Sequence, residues 1–211
     1  PPRLIGILVT WFSIAGMSIY GMKPVCEMQF SGFAYYGYHQ LEAHAARFRN
    51  RTRGRLSTPM VMRAPYGGGI RALEHHSESR EAIYAHTPAL KVVIPSGPRN
   101  ARALLHSAIQ DPDPVIYHEP KALYRLFREE VPDEMETLPI GQAQVVKEGT
   151  DITVVSFGAS LRASLEAVEE LEEEEEEPAP PPRTPDAPPP AQAVRWRPMA
   201  EGGDASAASS S

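Results

Sequence analysis

Between about residues 13 and 171, short apolar runs alternate with stretches whose apolar positions recur at helical spacing. The runs Lys23–Phe30, Pro59–Ala64, Leu90–Pro95 and Val115–His118 read as short strands, Leu90–Pro95 of the continuously apolar type that is buried on both faces. Between them, Gln40–Arg49 puts Leu41, Ala45 and Phe48 on one helical face, and Ser79–Ala85 reads as a short helix. Pro98–Gln110 reads as a longer helix, with a proline at the start, where its missing N–H costs little. This alternation predicts an α/β fold, a parallel sheet with helices on both faces.

Residues 129–150 read as a linker rich in Pro, Glu and Gly. Asp151–Phe157 then reads as another buried strand, with a helix from Gly158 through Leu171. Residues 151–171 therefore look like the opening βα unit of a second domain. A lone βα unit leaves its strand edge unpaired, so it is expected to be loosely held or to need a partner. Residues 172–211 begin with six consecutive Glu, and nine of the 22 prolines fall after Glu177; this stretch is expected to be a disordered tail. At the other end, Leu4–Tyr20 is apolar but interrupted, and Arg3 is the one basic residue before it. A spanning helix needs roughly 20 uninterrupted apolar residues, so buried core is predicted there and no membrane segment.

Composition narrows the function classes. Hydrophobic residues at 42% and charged residues at 23% fit a globular domain. A net charge of −6 and the lack of any nucleic-acid motif argue against nucleic acid as a partner. Cys26 is the single cysteine, which rules out an internal disulfide and predicts a reducing, cytoplasmic setting.

Three segments carry candidate chemistry. Gly67, Gly68 and Gly69 follow a strand and allow close backbone approach to a ligand or subunit, although the spacing is not that of a dinucleotide or Walker loop. His75 and His76 lie between Glu74 and Glu78, but no helical i, i+4 pair or third ligand cluster accompanies them. They read either as a solvated loop or as a proton-transfer or phosphate-donor site, since imidazole titrates near neutral pH. Asp111 and Asp113 follow a helix, where they read as a turn before Pro114 or as oxygen ligands for a hard cation; spacing alone favours the turn.

Taken in order, residues 21–30 (GMKPVCEMQF), 63–69 (RAPYGGG), 75–79 (HHSES), 90–95 (LKVVIP), 108–114 (AIQDPDP) and 138–141 (LPIG) resemble the beta subunits of pyruvate and branched-chain 2-oxoacid dehydrogenases. Each motif is loose alone, and the ordered set is specific. The resemblance spans about residues 13–171 and implies a transketolase-like thiamine-diphosphate fold. Residues 13–128 would form the pyrimidine-binding domain, after a divergent segment over 1–12, and the family pattern would be truncated at both ends. It implies thiamine diphosphate shared with an alpha subunit that carries Mg²⁺, an alpha₂beta₂ heterotetramer, and transfer of an acyl group to the lipoyl arm of an acyltransferase component. By position, Gln29 would line the pyrimidine pocket, Phe33 would stack on the ring, and His76 would be the catalytic histidine. Met60, Ala108, Ile109, Asp111 and Asp113 would form a structural potassium site, mostly through carbonyls, which favours the cation reading of Asp111.

One departure stands out. The family's Glu that hydrogen-bonds the pyrimidine nitrogen falls at Ile7, and an alkyl chain cannot exchange that proton. Pyruvate is the favoured substrate on general resemblance. A branched-chain 2-oxoacid dehydrogenase subunit, or a catalytically inactive fragment serving as a structural subunit, are the alternatives. A transketolase or deoxyxylulose-phosphate synthase fits the 63–69 and 75–79 segments less well.

Overall fold

The computed structural model describes residues 2–176, with side chains from 11 to 173. The strands are β1 (Val25–Glu27), β2 (Val61–Tyr66), β3 (Lys91–Val93) and β4 (Val115–Pro120). They form one four-stranded sheet of order β1-β2-β4-β3, with every pairing parallel. The helices are α1 (Pro2–Ile19), α2 (Tyr35–Gln40), α3 (Ala46–Arg51), α4 (Glu81–Ala85), α5 (Pro98–Gln110) and α6 (Ser160–Glu176).

The two-residue period of a strand divides the core between two layers. Met62 and Ala64 of β2 and Ile116 of β4 join Trp11, Ala34, Leu41, Ala45 and Tyr84 on one face. Val61, Val115 and Tyr117 face the opposite way and pack with Ala108, Leu104 and Leu105 of α5. The expected α/β architecture, a parallel sheet with helices on both faces, is therefore present.

The strands are offset from the predicted runs, and prolines account for part of this. Pro24 and Pro59 have no N–H to donate to a ladder. Their neighbourhood contributes carbonyls instead: Val61 N–H donates to Pro24 O at 3.0 Å and Val115 N–H to Met60 O at 2.9 Å. β3 stops two residues short of Pro95, so the predicted Leu90–Pro95 strand shrinks to its middle. The predicted Gln40–Arg49 helix is longer than expected. A π turn at Leu41–Ala45 joins α2 to α3, and Leu41 and Ala45 are buried as the pattern required.

Two expectations are corrected. Asp151–Phe157 is not a strand; Ile152 is 79% exposed and Val155 is 88% exposed. A strand's backbone groups need a neighbour, and among the described residues none pairs with this segment. Its helix does form, and runs past the predicted end at Leu171 to Glu176. The apolar start is helical, but over its described side chains, from Trp11 on, only one side is core: Trp11, Ala15 and Ser18 are buried while Phe12 and Met17 are exposed. No helix among the described residues is long and apolar enough to cross a membrane. The tail expected over 172–211 lies, from residue 177 on, outside the described residues, as does the Ile7 side chain.

His118 of β4 is fully buried between Tyr66, stacked at 5.2 Å, and Tyr84 at 5.6 Å, and neither ring nitrogen has a hydrogen-bond partner. Burial penalises the imidazolium and lowers its pKa from 6.5 to about 4. The unfolded chain therefore takes up this proton first as pH falls. The neutral ring's contribution is complete above pH 6.5 and is lost progressively as pH drops towards 4. The loss amounts to about 3 kcal/mol over that window. Urea unfolding measured from pH 7.5 to 4.5 should show this fall, and His118→Leu should flatten it.

Candidate functional site

The loops leaving the carboxyl ends of β1, β2 and β4 converge, and this is where parallel α/β sheets hold ligands. After β1, the chain turns through Phe30 into a 3₁₀ turn at Ser31–Phe33. After β2, it passes through the glycines and a second 3₁₀ turn at Glu74–His76. After β4, a third turn at Lys121–Leu123 closes the group.

Three rings meet there. Phe30 and His76 lie 4.4 Å apart, Phe33 and His76 5.6 Å, and Phe30 and Phe33 6.1 Å, all edge-to-face. His75 is 5.9 Å from Phe33. All three members of the ring cluster are half-buried, so each keeps solvent access. Edge-to-face packing sets the positive rim of one ring against the negative face of another.

Backbone contacts lock these turns together. The Glu78 carbonyl accepts from Ser31 Oγ at 2.8 Å and from Gly67 N–H at 3.0 Å, tying the post-β1 and post-β2 segments to one point. Gly32 is wedged beneath: a Cβ there would meet the His75 carbonyl oxygen and would come within 2.9 Å of Glu78 Oε2. Glu78 also pairs with Arg80, whose guanidinium lies 3.4 Å over the Tyr35 ring. Lys121, only 6% exposed, donates to the His76 carbonyl and sits 5.1 Å over Phe30; burial lowers its pKa.

Beside this cluster runs a charge ladder. Arg63 pairs with Glu119 and lies 3.5 Å from Glu27, and Tyr124 OH donates to Glu119 Oε2 at 2.6 Å. The Glu119 contact raises the Arg63 pKa, so the guanidinium stays charged. Burial and then Glu119 push the Tyr124 phenol up, so it remains a donor.

Of the residues expected at a pyrimidine pocket, the structure brings Phe33 and His76 together. Gln29 lies exposed on the turn out of β1, and its neighbour Phe30 is the one that meets His76. Phe30 reads from the sequence as the last residue of a strand, which hides its place in the cluster. Lys121 is hidden because one lysine after an apolar run looks like a strand end; its signal is a charge directly behind β4.

The expected cation residues gather at the far end of α5. Met60 and Ala108 are buried, and Ile109, Asp111 and Asp113 are half-buried. Both carboxylates already have cationic partners. Lys91 Nζ is 2.7 Å from each Asp111 oxygen, and Arg49 Nε is 2.6 Å from Asp113 Oδ1. Asp113 N–H donates to Asp111 Oδ1 at 2.9 Å, so the turn reading holds as well. The last carbonyls of a helix lack i+4 partners and carry the negative end of its dipole. Here the C-cap Asp111 N–H still completes the i+4 bond of Ser107 O, and Gln110 O takes Lys23 Nζ instead. A cleft of about 390 Å³ opens beside them, between α5 and residues 137–140.

The family model of the transketolase pyrimidine-binding domain matches residues 13–126, and that of the transketolase C-terminal domain matches 141–179. The chain belongs to the transketolase pyrimidine-binding family. Within it, the chain is similar to pyruvate dehydrogenase E1 component subunit beta of Acholeplasma laidlawii, at 55% identity over 160 residues, covering 76% of this chain and 49% of that protein. The subunit of the same name from Mycoplasma genitalium is 52% identical, with 69% and 45% of the two chains covered. The 2-oxoisovalerate dehydrogenase subunit beta of Bacillus subtilis is 46% identical, with 74% and 48% covered. The chain thus spans about half the length of the curated relatives it matches. Among solved structures, a split gene transketolase, an inactive beta4 tetramer, aligns with a TM-score of 0.60 at 24% identity, covering 80% of this chain and 51% of that one; this likeness concerns the fold alone.

Gly32→Ala is expected to force the Glu74–Glu78 turn away from Ser31, costing about 1–3 kcal/mol as an overpacked site. Urea unfolding would read the cost. Proteolysis confined to the 70–78 segment would read the displacement.

Proposed function

We propose that this chain contributes the beta-side half of a thiamine-diphosphate site in the decarboxylating component of a 2-oxoacid dehydrogenase, with pyruvate as the substrate. The observation that carries the reading is the Phe30–Phe33–His76 ring cluster at the carboxyl end of a parallel sheet, inside the segment matched by the pyrimidine-binding domain. The residues suit the group. Half-buried aromatic rings offer a flat, apolar seat for a pyrimidine, and a half-buried imidazole stands next to it. When bound, thiamine diphosphate supplies the nucleophilic carbon that takes up the 2-oxoacid and lets carbon dioxide leave.

The chain's own residues orient and exclude. Phe33 packs against the pyrimidine, and Gln29 offers an amide from the rim of the same turn. His76 holds or gives a proton next to the substrate or the incoming lipoyl group, as a positioned imidazole does. In this reading an alpha subunit holds the diphosphate and Mg²⁺, the assembly is an alpha₂beta₂ heterotetramer in the cytoplasm, and an acyltransferase component receives the acyl group. Pyruvate is preferred to a branched-chain 2-oxoacid because the relatives bearing the pyruvate name reach 55% identity against 46% for the branched-chain one. The domain division that goes with it is 13–128 for the pyrimidine-binding domain, 129–150 for a linker and 151–171 for the start of the C-terminal one.

Position 7 tempers the turnover expected. A Glu there would exchange a proton with the pyrimidine nitrogen, and Ile7 cannot. Isothermal calorimetry with thiamine diphosphate, Mg²⁺ and a matched alpha subunit should detect binding. Phe33→Ala should weaken it about fivefold, in line with a lost aromatic contact of about 1 kcal/mol. His76→Ala should leave the affinity in place and cut turnover about 10²-fold or more. Ile7→Glu should raise turnover by about 10²–10⁴. Absence of binding to the chain with its alpha subunit, in both the Ile7 and the Ile7→Glu forms, would refute the reading and leave a structural subunit.

The potassium site is proposed through backbone carbonyls of Met60, Ala108, Ile109, Asp111 and Asp113, since the two carboxylates are engaged by Lys91 and Arg49. Potassium is held well by carbonyl oxygens. Adding K⁺ at constant ionic strength should raise the thermal midpoint by a few degrees, with Li⁺ and tetramethylammonium giving no such rise; equal midpoints in all three salts would remove the site.

A further inference from the structure

We propose that Lys121 is the positioning residue that fixes the His76 turn against Phe30, and that it does so as a hydrogen-bond donor reaching from the end of β4. The inference deepens the proposed function, because it rests on His76 being the histidine next to the cofactor.

The His76 segment has little regular structure of its own. From Gly67 to Glu78 the chain makes a single 3₁₀ turn, Glu74–His76, and Arg71 within it adopts a left-handed φ of 54°. Two contacts from the turn after β4 hold this segment. Gly69, at φ 93°, approaches Ala122 so closely that a Cβ would lie 2.9 Å from the Ala122 Cβ. Next to it, Lys121 Nζ donates to the His76 carbonyl. β4 is the firmest anchor available, since Val115, Ile116, Tyr117 and His118 are all at most 1% exposed.

A lysine at this place combines two properties. Its ammonium lies over the Phe30 ring, with Nζ 5.1 Å from the centroid, so the aromatic face attracts the charge of a residue that is only 6% exposed. Its head makes a charge-assisted hydrogen bond to a carbonyl, which is stronger than a neutral one. The same side chain thus touches Phe30 and the backbone of His76, whose rings are 4.4 Å apart. Removing the donor leaves the His76 carbonyl without it and frees the ring pair to separate. A lysine acting only as apolar filler would be replaceable by any unbranched stem, whereas a donor is replaceable only by another donor.

The experiment uses the full chain without cofactor, so its outcome is independent of whether thiamine diphosphate binds. Carbon-13 histidine-labelled protein is compared as wild type, Lys121→Met and Lys121→Arg, with amide exchange followed by mass spectrometry. In Lys121→Met, the His76 ring signals should lose their ring-current displacement from Phe30, and exchange over residues 67–78 should rise about tenfold. Exchange over 61–66 and 115–120 should stay unchanged. Lys121→Arg, which keeps a donor and a cation, should restore both readouts. His76 signals that stay in place in Lys121→Met would overturn the proposal. So would core strands exchanging as fast as the loop in both variants, because the lysine would then be a packing residue. A Lys121→Met chain that fails to fold, beside a folded Lys121→Arg chain whose His76 signals are displaced, would overturn it too.

Discussion

The parallel pairing of β2 with β4, six residues deep, is the interaction on which the rest of this molecule depends. Each strand has an apolar side chain on both faces, so neither can exist without a helical layer above and below. Met62 and Ile116 recruit α1, α2 and α3; Val61, Val115 and Tyr117 recruit α5. Because both strands run the same way, their carboxyl ends open side by side. The segment after Tyr66 and the segment after Pro120 are then forced into the same corner. The short β1, paired to β2 through Cys26 and Met62, delivers Phe30 and Phe33 to that corner from the other side. The ring cluster is a product of strand direction before it is a product of any contact between the rings.

The same geometry explains what could be read from the sequence and what could not. Strand and helix order was legible because buried strands and amphipathic helices leave different apolar periods. Strand ends were not, because a ladder ends where a neighbour or an N–H is missing, and Pro24, Pro59 and Pro95 mark only some of those places. Asp151–Phe157 is the instructive failure. Its composition suits a strand, yet pairing is a property of two segments, and the described residues hold only one. The π turn at Leu41–Ala45 is invisible for a similar reason, since Leu41 and Ala45 keep an i, i+4 spacing whether or not the helix between them is underwound.

At the site, the family resemblance points to Phe33 and His76, and the structure places their rings 5.6 Å apart. Residue type and spacing alone leave His75 and His76 as one ambiguous pair. Only the fold separates them: His76 meets Phe30 at 4.4 Å and takes Lys121 on its carbonyl, while His75 is exposed. Phe30, Lys121 and the Arg63–Glu119–Tyr124 ladder come from three strand ends that are far apart in the chain, and no local pattern joins them. At α5, the turn reading of Asp111 is the one with a hydrogen bond behind it. The carboxylate caps a turn and binds Lys91, and the helix end behind it remains rich in carbonyl oxygens.

The open stretch around Ile152, Val154, Val155 and Phe157 also governs how this polypeptide behaves in a crowd of its own copies. Its residues are β-prone, uncharged and unpaired, the combination that lets one chain template another. A net charge of −6 opposes such templating by mutual repulsion, and that repulsion has a range set by salt. The Debye length shrinks from about 30 Å at 0.01 M to about 10 Å at 0.1 M ionic strength. Colloidal stability, and with it the usable protein concentration, is therefore controlled by ionic strength through this stretch, while the parallel sheet a short distance away keeps its thermodynamic stability.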